Sequence, residues 1–210
     1  MMKTFLSGIA AVLLFLGTAL SWGAPRFARA DDWAAIRESA ARTRTVRAEF
    51  TQSKNLKILA KPIVSKGLLV FRAPDFIRWE YLDPIKSVML MRPDGAEMHL
   101  WTDGAWIADS GQAVEIRRIV LDEIGAWFAG RFDQSGVFSP ELEKGPPLKI
   151  ILTPKEGLRD FVTRIELTGA DRLGVIQKVE IFEGADSSTV IDFTNVELNP
   201  ELPPELFKQP

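Results

Sequence analysis

The side chains that most often carry catalysis are sparse in this chain. It contains one histidine, His99, and no cysteine. A single imidazole without a thiol excludes the common zinc triads and thiol–imidazole catalysis. A serine hydrolase triad would have to use His99, but the chain contains no Gly-x-Ser-x-Gly turn. A structural or surface role is therefore the simpler interpretation of His99.

Paired carboxylates are the other common catalytic groups, and they occur at Asp122 with Glu123 and at Glu141 with Glu143. Both pairs lie in segments with the polarity of an exposed surface, so solvated charge is their expected role. A carboxylate-based hydrolase is the weaker alternative. No glycine motif that cradles phosphate is present. The sequence therefore predicts a protein that is not an enzyme and holds no metal.

The first thirty residues have the features of a secretory signal. Lys3 supplies a positive start, residues 5–20 are an apolar run, and residues 28–30 form a small-x-small site. The run is shorter than the roughly 20 residues that a spanning helix needs, so we predict cleavage before Asp31 rather than a retained membrane anchor. A single exported domain over residues 31–210 is expected.

The net charge of the chain limits the classes of molecule that it is expected to bind. Removal of residues 1–30 takes away three basic residues and no acidic one, which moves the formal net charge from −2 to −5. Binding of phosphate groups needs a basic face. The acidic balance therefore argues against nucleic acid as a partner, and the lack of cysteine means that packing alone must stabilise the domain.

The period of the apolar residues predicts mostly strands. A helix is expected over residues 33–43, with Asp31 and Asp32 at its start. From residue 46 the period becomes two, since Val46, Ala48 and Phe50 alternate with polar residues. Further strands are predicted over residues 67–71, 76–81, 87–91, 97–101 and 105–109, which is the pattern of an antiparallel meander.

A helical period returns over residues 112–132, where apolar residues form a wide stripe. Strands follow at residues 148–154, 161–168, 175–183 and 188–198, and the proline-rich end of the chain is expected to be extended. A sheet of about ten twisted strands curls or closes, so the helices are expected to cover its concave face. A β-sandwich with a helix across one end is the structural alternative.

The apolar inventory is the most informative part of the composition. Five of the six tryptophans follow residue 30, and Met89, Met91 and Met98 lie on neighbouring predicted strands. Methionine fills irregular shapes, and aromatic rings make large rigid apolar walls. An ordinary packed core is one interpretation, and a groove for acyl chains beneath helices is the other.

The order of these signals resembles the LolA family of periplasmic carriers of outer-membrane lipoproteins. A helix precedes VRAEFTQ at residues 46–52, and the pattern Gly67-x-Leu69-x-Phe71 is followed by Pro74. An aromatic residue, Trp79, stands ahead of Pro84. The segments ILTPK at 151–155, LRDFVTRIEL at 158–167 and FTNVELNPELPPELF at 193–207 are similar to the second half of the family pattern. The resemblance covers nearly all of residues 31–210.

The resemblance implies an α+β fold that is mainly antiparallel β, an incomplete, half-open β-barrel of about ten or eleven strands with helices on its concave apolar face. It implies a monomeric periplasmic carrier without a cofactor, which shields acyl chains of lipoproteins or a related lipid between an inner-membrane donor complex and an outer-membrane acceptor. The expected cavity wall comprises Phe50, Leu69, Phe71, Ile77, Trp79, Met89, Met91 and Trp101, and the expected lid comprises Ile124, Trp127 and Phe128.

Two features depart from the family pattern. The family has an arginine directly before the proline of the strand turn, where it is thought to hydrogen-bond to the lid, and this chain has Ala73. Arg72 and Arg78 are close in sequence, but strand alternation is expected to direct both away from the lid. The chain also ends at Pro210, without the extra C-terminal strand of the best-known carriers. These departures favour a divergent member with a pathway-specific lipid cargo, and a LolA-fold sensor that binds a partner protein is the alternative.

Overall fold

The computed structural model describes residues 26–27, 30–109, 112–155, 157–170, 175–184 and 186–210. The predicted secretory signal at residues 1–30 lies outside these ranges except for residues 26, 27 and 30, so the predicted cleavage before Asp31 would remove the two-residue strand Arg26–Phe27 from the sheet. Side chains of residues 26, 27, 30–32, 112–117, 119 and 120 are also outside the description, so the first part of the predicted apolar stripe on the second helix is not placed.

The described residues form one antiparallel sheet. Its strands are β1 (Arg26–Phe27), β2 (Thr45–Asn55), β3 (Ile63–Arg72), β4 (Phe76–Asp83), β5 (Ser87–Arg92), β6 (Gly95–Thr102), β7 (Ala105–Asp109), β8 (Phe138–Lys144), β9 (Lys149–Pro154), β10 (Arg164–Gly169), β11 (Ile176–Glu183) and β12 (Ser187–Leu198). The spatial order in the sheet is β1-β8-β9-β10-β11-β12-β2-β3-β4-β5-β6-β7, so two meanders meet where β12 pairs with β2.

Two helices interrupt the strands. Helix α1 (Ala30–Ala41) precedes β2, and helix α2 (Gln112–Phe128) connects β7 to β8 through a 3-10 turn at Phe132–Gln134. The predicted helix over residues 33–43 is thus confirmed with a start three residues earlier. Among the described helices, none combines the length and apolar character that a membrane span requires.

The sheet curls around its apolar face. Phe193 lies on β12 and Trp79 on β4, which are separated in the sheet by β2 and β3. Neighbouring strands of a flat sheet lie about 4.8 Å apart, so β12 and β4, which are three spacings apart, would be separated by about 14 Å. The ring centroids of Phe193 and Trp79 are only 6.1 Å apart. Inward curvature therefore brings side chains from distant strands together, as expected for a half-open barrel. The predicted fold class is confirmed, and the sandwich alternative is not what forms.

The C-terminal segment covers part of the opposite, convex face. Its end forms a short 3-10 turn, Pro204–Phe207, rather than the fully extended segment that the prolines predicted. The Phe207 side chain is buried, with its ring 5.6 Å from that of Phe76. Arg78 and Arg92 donate hydrogen bonds to backbone carbonyls of this segment. A second, smaller apolar cluster thus stabilises the outside of the sheet.

Candidate functional site: an apolar groove under helix α2

The inner face of strands β2 to β6 presents three rows of side chains. Because directly opposed residues of antiparallel strands share a face, the strand register alone defines them. None of these fifteen positions carries a charged side chain. The rows are Val46–Phe71–Ile77–Met91–Ala96, Ala48–Leu69–Trp79–Met89–Met98 and Phe50–Gly67–Tyr81–Ser87–Leu100.

Seven of the eight residues predicted for the cavity wall belong to these rows, and each of the seven is at most 5% exposed. The alternation of apolar and polar residues in β2, β3 and β4 was therefore assigned to the correct face. Whether these side chains contact a cargo is a separate matter. In this structure they contact one another and the helices, as parts of one continuous buried cluster: Phe50, Leu69, Phe71, Ile77, Trp79, Met89 and Met91.

Trp101 is the exception among the predicted wall residues. It lies on the outer face of β6, it is 42% exposed, and its ring meets that of Trp106 on β7 at 5.3 Å. The inward position is its neighbour Leu100, which pairs with Ser87. The prediction for Trp101 is wrong because Met98 lies opposite Met89 on the inner face, and strand alternation then directs Trp101 outward.

Helix α2 covers the rows. Ile124, Trp127 and Phe128, the three predicted lid residues, are all buried, as is Leu121 one turn earlier. The ring of Phe128 stacks on that of Phe71 with centroids 5.7 Å apart, and it meets Phe193 edge-on at 6.2 Å. The second half of α2 therefore rests directly on the inner face of the sheet.

Two glycines permit this close packing. A Cβ on Gly125 of α2 would lie 2.8 Å from Ile77 Cδ1, so the helix backbone sits directly over β4. A Cβ on Gly67 of β3 would lie 2.4 Å from the ring of Phe50, which crosses the strand there. A Cβ on Gly67 would also overlap the backbone carbonyl oxygen of Glu80, so only glycine fits there. A Cβ on Gly125 would instead require the flexible end of the Ile77 side chain to shift.

Four aromatic side chains join the two meanders on the inner face of the sheet. The rings of Phe50 and Trp79 are 4.4 Å apart, and Tyr81 meets Phe50 edge-on at 5.3 Å. Phe193 on β12 completes the group, because it pairs with Phe50 across the strands. Phe193 was not predicted as a wall residue, although Ile191 and Phe193 alternate with polar residues and carry the same two-residue signal as β2.

The C-terminal end of α2 is tied to its surroundings by charge and close contact. Arg131 donates a hydrogen bond from Nη2 to Asp75 Oδ1 at 3.0 Å, which links the segment after α2 to the turn between β3 and β4. Arg37 of α1 forms an ion pair with Asp133. Gly130 has φ +75° and would place a Cβ 2.5 Å from that of Ala40, so only glycine fits between the helices.

The arginines near Ala73 serve the outer face. The Arg72 guanidinium lies over the rings of Phe76 and Phe207, at 4.1 and 4.7 Å from their centroids. Arg78 donates to the carbonyl of Gln209 at 2.8 Å. The expectation that alternation directs both away from the lid is confirmed. Arg131, which follows α2 in the chain, is instead the arginine that binds the turn between β3 and β4, through its hydrogen bond to Asp75.

A polar group lies at the margin of the apolar interior. Glu123 of α2 accepts a hydrogen bond from Ser135 Oγ at 2.9 Å. Burial raises the pKa of Glu123, and the hydrogen bond from Ser135 partly opposes that rise. Within the described residues, the second carboxylate oxygen of Glu123 and the indole nitrogen of Trp127 are buried without a hydrogen-bond partner. Charge at this position therefore costs free energy while α2 packs on the sheet.

The remaining candidates for catalysis are dispersed. His99 lies on the outer face of β6, with Nε2 3.4 Å from Glu97 Oε2. A hydrogen bond from Arg92 holds the pKa of Glu97 below its ordinary range. Glu141 and Glu143 lie on β8, at the other side of the sheet. The candidate catalytic groups are thus not brought together at one site.

Comparison with known proteins identifies relatives by sequence. No family model matches the chain. The outer-membrane lipoprotein carrier protein of Nitrosospira multiformis is 30% identical over 172 residues, which span 79% of this chain and 77% of that protein. The outer-membrane lipoprotein carrier protein of Dechloromonas aromatica is 27% identical over 177 residues, with the same two coverages of 79% and 77%.

Solved structures give more distant similarities. A DUF1329 family protein from Desulfovibrio piger superposes with a TM-score of 0.49 at 13% identity, covering 84% of this chain and 94% of that chain. A LolA superfamily protein from Nitrosomonas europaea superposes with a TM-score of 0.43 at 12% identity, covering 84% and 97%. The sequence relationship is the stronger one: with 30% identity over more than three quarters of both sequences, the chain belongs to the LolA family of outer-membrane lipoprotein carrier proteins, which are carriers and not enzymes.

Proposed function

We propose that this protein is a periplasmic carrier that holds the acyl chains of a lipoprotein, or of a related lipid, between the inner face of its sheet and helix α2. The observation that carries the proposal is the set of three uncharged rows on β2 to β6, covered by a helix that touches them through Gly125 and aromatic rings. The family of the chain supports the same role.

The physical need for such a groove is large. Each methylene group removed from water contributes about 0.8 kcal/mol, so a long acyl chain gains on the order of 10 kcal/mol from shelter. An uncovered apolar surface of this extent would itself attract other molecules. A lid that rests on the empty groove and moves aside for cargo resolves both demands without a covalent step.

In this proposal, the contacts between α2 and the sheet are those of the closed, empty carrier. Phe128 contacts Phe71 and Phe193, and Gly125 sits on Ile77, so cargo can enter only where α2 separates from the sheet. The contacts that must break are apolar, and an acyl chain can replace them with contacts of the same kind. Loading therefore exchanges one set of apolar contacts for another.

The test uses Ile77→Glu, which places a charge in the middle of an uncharged row. We expect the variant to lose binding of a fluorescent acyl probe, and to lose the acyl species that native mass spectrometry detects on the purified wild type. Phe161→Glu is the matched control, because Phe161 is 48% exposed in the turn between β9 and β10 and belongs to none of the rows. Circular dichroism verifies that both variants fold. Unchanged probe binding by a folded Ile77→Glu variant would refute the proposed groove.

The same measurement separates the carrier from a sensor that binds only a partner protein. A carrier yields protein with acyl cargo, whereas a sensor remains empty through purification and retains a protein ligand. Transfer of cargo from an inner-membrane donor complex to an outer-membrane acceptor is part of the proposal, with the chain acting as a monomer. Periplasmic export by residues 1–30 belongs to it as well, and N-terminal sequencing of exported protein tests the cleavage before Asp31.

A further inference from the structure

The β2–β3 hairpin extends beyond β4, whereas on its other side β12 runs beside β2 as far as Asn55, the last residue of β2. Lys66 on β3 is the residue opposite Asp83, the last residue of β4. Residues 63–65 therefore continue past β4 by about 10 Å at 3.3 Å per residue, and the connecting loop 56–62 lies farther out. Every residue from 57 to 64 is exposed. This projecting segment, residues 54–66, is called the hairpin tip below.

The hairpin tip exposes apolar side chains that a solvated loop does not need. Ile58 is 87% exposed, and Leu59, Ile63 and Val64 are also exposed. Single exposed apolar residues are ordinary, but a contiguous group of them marks an interaction site. Four such residues within seven positions concentrate exposed apolar surface at the hairpin tip.

The neighbouring loop at this end of the sheet also exposes apolar side chains. Residues 82–86 between β4 and β5 are all exposed, and Ile85 is 67% exposed. Trp101 flanks the loop, since its backbone nitrogen donates to the carbonyl of Lys86 at 3.0 Å. The hairpin tip, this loop and Trp101 thus form one apolar rim at a single end of the molecule.

The charge of the hairpin tip is opposite to that of the chain. Residues 54–66 include four lysines and no acidic residue, whereas the whole chain has a formal net charge of −2. Lys54 pairs with Glu183 at 3.1 Å, and Lys57 pairs with Asp186. Lys61 and Lys66 are exposed, and neither has a carboxylate partner within the described ranges. The tip therefore presents positive charge around its apolar side chains.

We propose that the hairpin tip docks on the surface of an anionic lipid bilayer, with Ile58 and Leu59 entering the headgroup region. Lysine is depleted from protein–protein interfaces, which argues against a protein partner for this surface. Exposed apolar side chains next to lysines are instead the combination that binds anionic membranes, since insertion and attraction act together. Lys61, two residues along the chain from Leu59, and Lys66 are both exposed, and in this arrangement their ammonium groups face lipid phosphates.

Docking in this way orients the groove. The row that contains Phe50 and Tyr81 is the one nearest the hairpin tip, and the turn at Asp75 that holds the lid through Arg131 is at the opposite end of β3 and β4. The membrane would therefore face the end of the groove that is farther from this ion pair. The inference goes beyond the carrier function, because it concerns the empty protein as well as the loaded one.

The lack of cysteine allows a direct test. Ile58→Cys is labelled with an environment-sensitive dye and mixed with vesicles of phosphatidylglycerol and phosphatidylcholine in equal parts. We expect a blue-shifted, brighter emission that is absent with pure phosphatidylcholine and that decreases as salt screens the lysines. Asp94→Cys, in an exposed turn at the other end of the sheet, is the matched control and should show no change.

Sedimentation with the same vesicles supplies a second readout. Lys61→Glu combined with Lys66→Glu should lower the bound fraction at least about fivefold, and Lys208→Glu on the C-terminal segment should leave it unchanged. Ile58→Ser combined with Leu59→Ser should abolish the emission change at a neighbouring label on residue 60. Absence of vesicle binding, or equal binding by wild type and hairpin variants, overturns the proposal. Acyl-probe binding in solution is measured separately, so failure here leaves the carrier function intact.

Discussion

Gly125 of helix α2 lies over Ile77 of strand β4 so closely that a methyl group on Gly125 would come 2.8 Å from Ile77 Cδ1, while Ile77 Cγ1 would be 3.7 Å away. The approach of α2 to the sheet at this point is thus limited by Cδ1 of Ile77. Substitutions that add or remove one carbon atom at either position should therefore change how α2 packs on β4.

Gly125→Ala should destabilise the wild type and be tolerated in an Ile77→Val background. Alanine favours a helix over glycine by about 1 kcal/mol, but overpacking costs about 1–3 kcal/mol. Ile77→Val removes Cδ1 and leaves Cγ1 at an ordinary contact distance. The free energies of unfolding of the four proteins form a double-mutant cycle, and we expect a coupling of at least about 0.5 kcal/mol.

The control for this cycle is Gly136→Ala, because a Cβ on Gly136 meets nothing within 4 Å. Its effect should be the same with Ile77 or Val at position 77. Additive effects of Gly125→Ala and Ile77→Val would mean that α2 does not rest on β4 in solution.

The ion pair between Arg131 and Asp75 should hold the lid rather than the fold. Both side chains are more than a third exposed, so Arg131→Ala should cost less than about 1 kcal/mol of global stability. Amide exchange at the C-terminal end of α2 should become faster, and an acyl probe should bind faster. The exchanged pair Arg131→Asp with Asp75→Arg should restore both rates.

Arg42→Ala is the control for this experiment, since it breaks an exposed pair with Glu38 on α1. It should leave the exchange at α2 unaltered. Equal exchange in the Arg131→Ala variant and the wild type would remove the lid-holding role of this ion pair.

Glu123 should make stability depend on pH. Its pKa in the folded state is raised above the ordinary value of 4.5, so the folded state binds more protons than the unfolded one. The contribution of Glu123 to stability is therefore greatest below pH 4.5 and is lost as the pH rises through the raised pKa. Glu123→Gln should raise the melting temperature at pH 7 and reduce the decline of stability above pH 4.5.

Glu38→Gln is the comparison, because Glu38 is exposed on α1. Melting temperatures of both variants and the wild type are measured across pH 4 to 8. A Glu123→Gln variant that is less stable than wild type at pH 7 would show that the charged form is favoured by its surroundings.

Phe207→Ala should lower the stability of the protein without changing the apolar rows of the inner face. Phe207 is 1% exposed on the outer face, and truncation of a buried phenylalanine costs about 3–5 kcal/mol. The inner rows do not contain Phe207, so acyl-probe binding by the folded fraction should be unchanged. Loss of binding by folded protein would instead couple the C-terminal segment to the groove.

The sequence predicted most of the inner face, because strands with one buried side alternate strictly. The assignments in β2, β3 and β4 follow from that alternation. Strand β8 was missed because Pro140 and its acidic residues weaken the strand signal. Two contacts could not be predicted, because local periodicity reports only on residues close in sequence. The Arg131–Asp75 pair joins residues 56 positions apart, and Phe207 is buried only once the C-terminal segment packs on the folded sheet.

A covalent crosslink can hold α2 on the sheet and so prevent it from moving aside. Gly125→Cys and Ile77→Cys introduce the only two cysteines of the chain, and a short bifunctional thiol reagent joins α2 to β4. We expect the crosslinked protein to lose binding of an acyl probe, while the same variant without the crosslink binds it. Undiminished binding by the fully crosslinked protein would contradict a groove that opens beneath helix α2.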